Sequence, residues 1–127
     1  MPEPYIKEPG WRAKFRHAFR GTKRGLRGQS SFFVHLFITA LVIATATVLK
    51  VDRTEWCLLV LCITVVLTAE MFNSALEWLA KAIDVAHNPH LREALDVGSA
   101  AVLIAAIGAA IVGAIIFVER LVRLLGW

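Results

Sequence analysis

The stretch VGSAAVLIAAIGAAIVGAIIFV, residues Val97–Val118, has 22 residues and contains no Lys, Arg, Asp or Glu. A helix that crosses the hydrocarbon core of a bilayer needs about 20 mostly apolar residues. Two further apolar runs precede it: Phe32–Leu49 has 18 uncharged residues, and Trp56–Ala80 has 25 residues in which only Glu70 and Glu77 are charged. The sequence therefore predicts an all-α membrane protein with three transmembrane helices.

The composition agrees with this prediction and argues against a water-soluble domain. Hydrophobic residues make up 57% of the 127 residues, and the mean hydropathy is positive. A soluble domain usually has about 45–50% apolar residues. A chain of this length has room for one domain, so any chemistry must lie on the membrane helices. Charged or polar segments, Lys50–Glu55 and Lys81–Glu93, are expected to form the connecting loops, and Asn88-Pro89 is expected to break the helix in the second loop.

The region before the first apolar run is strongly basic. Eight of the fourteen Lys and Arg residues fall within the first 27 residues. Apolar residues recur there every three or four positions, which predicts an amphipathic helix lying on the membrane surface. These apolar positions are Trp11, Phe15, Ala18, Phe19, Thr22 and Leu26. Basic residues that flank membrane spans favour the cytoplasmic side, so we expect the N-terminus to be cytoplasmic. The expected location of the protein is the cell (inner) membrane. Because the basic residues lie beside a bilayer, we expect no nucleic-acid partner.

The predicted organisation has four parts. Residues 1–10 form a flexible tail and residues 11–28 the amphipathic surface helix, while 29–121 form the three-helix transmembrane domain and 122–127 a C-terminal tail. On the last helix, small residues recur every four positions, which favours close helix packing. They are Ala101, Ala105, Ala109 and Gly113. A three-helix bundle of this size buries few polar groups by itself, and we therefore expect the protein to form oligomers.

Charged and polar residues cluster on one stripe of the second apolar helix. At 100° per residue, Glu70, Asn73 and Glu77 project at about 0°, 300° and 340°. Carboxylates at membrane depth are costly and need a compensating partner. One interpretation is that they are structural staples between helices, with water or Arg as partner. The other is a cation site at the cytoplasmic edge, joined by Asp96 from the start of the third helix. Hard oxygen ligands favour Mg²⁺, which binds through one or two carboxylates plus substrate phosphate.

Two elements carry a specific resemblance. The run Glu70-Met71-Phe72-Asn73-Ser74-Ala75-Leu76-Glu77, followed by Asp96-Val97-Gly98-Ser99-Ala100-Ala101, resembles the signature of the prokaryotic diacylglycerol kinase and undecaprenol kinase family. Ala18-Phe19-Arg20-Gly21 and Phe32-Phe33-Val34-His35-Leu36 are also similar to that family. Members are small integral-membrane lipid kinases with three spans per chain that form homotrimers. The resemblance runs from about residue 12 to residue 118.

The resemblance implies a role for each matched residue. Glu70 would be the general base that accepts the proton of a lipid hydroxyl, and Asn73 would orient groups beside it. Glu77 would bind Mg²⁺ that bridges the phosphates of the co-substrate ATP. Asp96 would belong to the nucleotide site. The expected activity is transfer of the ATP γ-phosphate to diacylglycerol or undecaprenol at the cytoplasmic membrane interface.

Three positions depart from the family pattern. Gln29 stands where the family usually has a second metal-binding Glu, which removes a negative charge from the metal site. Leu95 stands where a phosphate-contacting Lys is common. Lys81 stands four residues after Glu77, where Asp is usual, and it could supply the cation missing at Leu95.

Three arginines are further candidates for nucleotide contact, although each can equally be a solvated charge or a contact to lipid headgroups. They are Arg24, Arg27 and Arg92.

The departures leave two alternatives to an active kinase. One is a catalytically silent relative that binds lipid or nucleotide without transferring phosphate. The other is a subunit of a small membrane transporter that uses Glu70 as a proton site. The sequence does not discriminate between diacylglycerol and undecaprenol as substrate. His35, near the cytoplasmic end of the first span, is expected to form a hydrogen bond between helices rather than to bind a metal.

Overall fold

The computed structural model of the protein describes residues 10–26, 30–83 and 88–127. The helices in these residues are α1 (Trp11–Leu26), α2 (Ser30–Val48), α3 (Arg53–Ala82) and α4 (Pro89–Leu124). The last three are each long and apolar enough to cross a membrane. The prediction of an all-α fold, with one amphipathic helix followed by three transmembrane helices, is confirmed.

The start of α4 differs from the prediction. The Asn88 side chain accepts hydrogen bonds from the backbone N–H groups of His90 and Leu91, at 3.1 and 3.2 Å. Pro89 occupies the first turn, where its missing N–H costs nothing and its fixed φ suits a helix. The loop predicted over residues 81–93 is therefore shorter than expected, because α3 extends to Ala82 and Asn88-Pro89 starts α4.

Helices α3 and α4 form an antiparallel hairpin that is closed at both ends. Near one end Gly98 lies against Asn73, and at the other end Arg120 pairs with Glu55. Helix α2 packs against this hairpin less extensively than α3 and α4 pack against each other. Buried apolar side chains join the three helices at the end remote from Asn73. They are Ala46, Val51, Leu59 and Ile116.

The closure at the remote end is a cluster of charged groups. Asp52 caps α3 by accepting the Glu55 backbone N–H at 2.9 Å, and the Glu55 side chain accepts the Asp52 N–H at 2.8 Å. Arg120 of α4 donates to both carboxylates, with Nε 2.8 Å from Glu55 and Nη2 3.0 Å from Asp52. Arg120 therefore ties the first turn of α3 to the last turns of α4.

The outward faces of the three long helices are apolar. Large hydrophobic side chains on these faces are at least half exposed within the chain, which fits contact with lipid rather than with water. They include Phe33, Phe37, Leu41, Ile104, Ile107, Ile111 and Ile115.

Helix α1 has the amphipathic pattern expected from the sequence. Trp11, Phe15 and Phe19 are each more than 70% exposed, which leaves an apolar face available to a membrane surface. The C-terminal end of α1 lies on α3, where a Cβ added at Gly25 would fall 2.5 Å from the sulfur of Met71. This contact places the end of the amphipathic helix beside the middle of α3.

The small residues of the α4 stripe do not all pack closely against another helix among the described residues. Ala101 is exposed, while Ala105, Ala109 and Gly113 are half-buried. A Cβ added at Gly113 would meet nothing within 4 Å among the described residues. The close helix packing predicted for this stripe therefore stays a prediction.

Candidate active site

Glu70 lies in the second half of α3 and is only 2% exposed. The hydroxyl of Ser31 on α2 donates a hydrogen bond to its Oε1. The Nε2 of His35, one turn further along α2, lies 3.6 Å from its Oε2. His35 thus contacts another helix, but the expected hydrogen bond is not formed, because 3.6 Å is too long for one.

Asn73 and Glu77 continue the same side of α3. Asn73 is 7% exposed, and its Nδ2 donates to Glu77 Oε1 at 3.1 Å. Its Oδ1 is buried and has no hydrogen-bond partner among the described residues. Gly98 of α4 lies directly against this oxygen, since a Cβ there would be 2.7 Å away. The structure thus brings Glu70, Asn73 and Glu77 together on the side of α3 that meets α2 and α4.

Asp96 does not join these residues within one chain. Gly98 faces α3, and a residue two positions away on a helix points about 200° away from it. Asp96 is accordingly exposed. The residues that the structure describes hold no group of three His, Cys, Asp or Glu side chains able to bind a metal. Within one chain the described residues therefore do not bring Asp96 together with Glu70 and Glu77, and its predicted place in the site stays a prediction.

The predicted basic residues are placed around the same end of α3. Lys81 is exposed, and its Nζ lies 4.7 Å from the centre of the Trp78 ring. Arg24 of α1 lines a pocket of about 590 Å³ beside Trp78. The other pocket residues are Gly21, Gly25, Met71, Ser74 and Ala75.

Arg27 and Gln29 lie outside the described residues. Arg92, on the first turns of α4, is exposed.

Sequence reasoning missed two groups that contact or adjoin Glu70. Ser31 binds the carboxylate directly, and Ser74, on the next turn of α3, is 2% exposed. Ser31 and His35 are four residues apart, so their spacing on a predicted helix could have indicated a shared polar face. The sequence did not show which face of α2 meets α3.

An apolar cavity of about 440 Å³ extends from His35 between the three long helices. Its wall on α2 includes Ile38, Thr39 and Val42. The α3 and α4 walls include Leu59, Cys62, Ile63, Val66, Ala109, Gly113 and Phe117. The cavity therefore places aliphatic and small side chains next to the polar group of residues around Glu70.

Residues 16–117 match the sequence profile of the prokaryotic diacylglycerol kinases. The matched segment covers most of the chain and contains α2, α3 and nearly all of α4. The chain belongs to this family. It is 30% identical over 118 residues to a diacylglycerol kinase of Synechocystis sp., an alignment that covers 92% of this chain and 67% of the relative.

Other relatives carry both kinase names. An undecaprenol kinase of Bacillus subtilis is 28% identical over 107 residues, covering 84% of this chain and 87% of the relative. A diacylglycerol kinase of Pseudomonas aeruginosa is 28% identical over 89 residues, covering 70% and 72%. No solved structure matches the chain. Family membership and the residues around Glu70 thus support the resemblance found in the sequence.

Proposed function

We propose that the protein is a lipid kinase that transfers the γ-phosphate of ATP to the hydroxyl of diacylglycerol or undecaprenol. Relatives named for each of these two substrates align over most of the chain. The observation that carries the proposal is the buried carboxylate of Glu70, next to the Asn73–Glu77 hydrogen bond and beside an apolar cavity. A lipid kinase requires this combination, because its base must meet a hydroxyl that is attached to an apolar chain.

Glu70 is the proposed general base. An alcohol is a weak nucleophile, and a carboxylate within hydrogen-bond reach assists by accepting its proton. The lipid oxygen then bonds to the γ-phosphorus, the bond from that phosphorus to the β–γ bridging oxygen breaks, and ADP leaves. Ser31 already donates its hydroxyl hydrogen bond to Glu70, which supports the idea that this carboxylate can receive a second hydroxyl.

Asn73 and Glu77 are proposed to hold the phosphate end of the nucleotide. Glu77 offers a half-buried carboxylate, and Asn73 offers an amide oxygen that has no hydrogen-bond partner among the described residues. Such a small donor set fits Mg²⁺ that arrives with a nucleotide, since this ion is commonly bound by one or two carboxylates plus substrate phosphates. Glu77 and Gln29 would hold the ion. When bound, Mg²⁺ would neutralise charge on the transferring phosphoryl group.

The nucleotide contacts are proposed to come from Asp96 and from basic residues at the same end of the bundle. Lys81 lies over the Trp78 ring, Arg24 lines a pocket together with Trp78, and Arg27 is close to Arg24 in sequence. Asp96 points away from Glu70 of its own chain. In the proposed homotrimer it would face a neighbouring copy, where it could complete a site that one chain leaves open.

The proposed location is the cell inner membrane, with the N-terminus in the cytoplasm. The basic amphipathic helix α1 and the nucleotide-binding end of α3 would then lie at the cytoplasmic surface, where ATP is available. The lipid would reach Glu70 laterally from the bilayer. The stripe of small residues on α4 would support contacts between copies.

Radiolabelled ATP transfer in mixed micelles tests the proposal. Purified protein with Mg²⁺ is assayed with diacylglycerol and with undecaprenol, next to Glu70→Gln and Glu77→Gln variants. Glu119→Gln is the matched control, because Glu119 is an exposed acid at the remote end of α4. We expect transfer to at least one lipid, with losses of about 100-fold or more in the two site variants and none in the control. Absence of transfer to both lipids by the folded wild type would support a silent relative.

A further inference from the structure

Two side chains of α2 hold Glu70, and the proposed function above assigns neither of them a catalytic step. Ser31 donates its hydroxyl to Oε1, while Nε2 of His35 lies 3.6 Å from Oε2. The two residues are one helical turn apart, so they present their side chains to the same face of α3. Each carboxylate oxygen of Glu70 therefore has its own neighbour on α2.

We propose that His35 is a positioning residue that fixes the direction of the Glu70 carboxylate, with Ser31 holding the other oxygen. This inference rests on the proposed role of Glu70 as the base. At 3.6 Å, Nε2 of His35 is too far from Oε2 for a hydrogen bond but within ion-pair distance, so the imidazole limits how this carboxylate can turn.

The need for such a partner follows from the depth and burial of Glu70. A buried carboxylate among membrane helices needs polar partners. Among the residues that the structure describes, His35 is the basic side chain within ion-pair distance of Glu70. Without His35, Oε2 of Glu70 would lose its neighbour on α2, and the carboxylate could turn away from a substrate hydroxyl.

The position of His35 brings its side chain next to Glu70 at the edge of the apolar cavity. Its side chain is 17% exposed, and it lies at the boundary between Glu70 and the apolar cavity. Ser31 complements it, because a carboxylate oxygen can accept more than one hydrogen bond and so remains available to a substrate hydroxyl. The pair thus orients the base without occupying all of its lone pairs.

Three variants test the proposal: His35→Phe, which removes the ring nitrogens but keeps a ring, His35→Gln, which keeps a polar donor, and Ser31→Ala. Thr47→Val is the matched control. Thr47 is an exposed residue at the other end of α2, and its hydroxyl donates to the backbone carbonyl of Ile43 at 2.8 Å.

In the lipid kinase assay, we expect kcat of His35→Phe to fall about 100-fold with little change in KM for ATP, because the base is misplaced. His35→Gln should recover part of that loss, Ser31→Ala should lower kcat less than His35→Phe, and Thr47→Val should match the wild type. Equal kcat in His35→Phe and wild type would overturn the proposal, as would a loss confined to KM.

A second measurement does not depend on activity. Dicyclohexylcarbodiimide, which is lipid-soluble, labels carboxyl groups within membranes, and mass spectrometry can quantify its adduct at Glu70. We expect several-fold more labelling in His35→Phe than in wild type and Thr47→Val, because a carboxylate that is no longer held between Ser31 and His35 is easier for the reagent to reach. Unchanged labelling would show that His35 does not hold Glu70 in place. If the wild type transfers no phosphate, the proposed function fails, while the labelling comparison still decides whether His35 holds Glu70.

Discussion

Gly98 of α4 lies so close to Asn73 of α3 that a Cβ at position 98 would be 2.7 Å from the Asn73 amide oxygen. The same Cβ would be 2.8 Å from a methyl group of Leu76. Glycine at this position therefore allows the two helices to approach closely at the level of the candidate site. A Cβ at position 98 would therefore displace Asn73, whose side chain donates a hydrogen bond to Glu77.

Gly98→Ala should thus lower kinase activity by displacing Asn73. We expect a loss of about tenfold or more in kcat, together with a destabilisation of about 1–3 kcal/mol from overpacking. Gly108→Ala is the control, since a Cβ there meets nothing within 4 Å. Steady-state phosphate transfer and thermal unfolding in detergent measure the two effects. Wild-type kinetics in Gly98→Ala would show that Asn73 tolerates the displacement.

Gln29→Glu should restore a negative charge to the proposed metal site. The Mg²⁺ concentration for half-maximal activity should fall by about tenfold, which corresponds to about 1.4 kcal/mol of added binding free energy. Glu3→Gln, a change to an acid in the N-terminal segment, should leave the Mg²⁺ titration as it is. If Gln29→Glu does not alter the Mg²⁺ requirement, the proposed metal role of residue 29 is wrong.

Lys81→Met should raise KM for ATP if Lys81 supplies the cation that is absent at Leu95. An exposed cation contributes about 0.2–1 kcal/mol to such a contact, so the expected increase is about two- to fivefold. Lys50→Met, at the opposite end of the bundle, is the matched control. ATP titrations at fixed lipid concentration make the measurement, and an unchanged KM would identify Lys81 as a solvated charge that rests on Trp78.

The Asp52 cap should contribute to stability without affecting catalysis. Asp52→Ala removes the acceptor for the Glu55 backbone N–H and should cost about 1 kcal/mol, or roughly 4 °C in Tm. Asp52→Asn keeps an oxygen acceptor but loses the charge that faces Arg120, so its Tm should lie between those of Asp52→Ala and wild type. Differential scanning fluorimetry in detergent tests this order, and equal Tm values for both variants would assign the whole effect to the charge.

The sequence by itself determined the number and type of the helices and the face that carries the acids. Long apolar runs leave the backbone in a bilayer with few choices besides helix, and the 3.6-residue period aligns Glu70, Asn73 and Glu77. The runs over residues 70–77 and 96–101 also carried the resemblance to the family.

Only the tertiary structure decided what meets that face. The contacts of Ser31 and His35 with Glu70, and of Gly98 with Asn73, depend on how each helix is rotated about its axis and where it crosses its neighbour. Apolar residues surround most of α2 and α4, so the sequence gives little preference for one rotation. Because Gly98 packs on α3, Asp96, two positions earlier on the helix, points about 200° away from that contact.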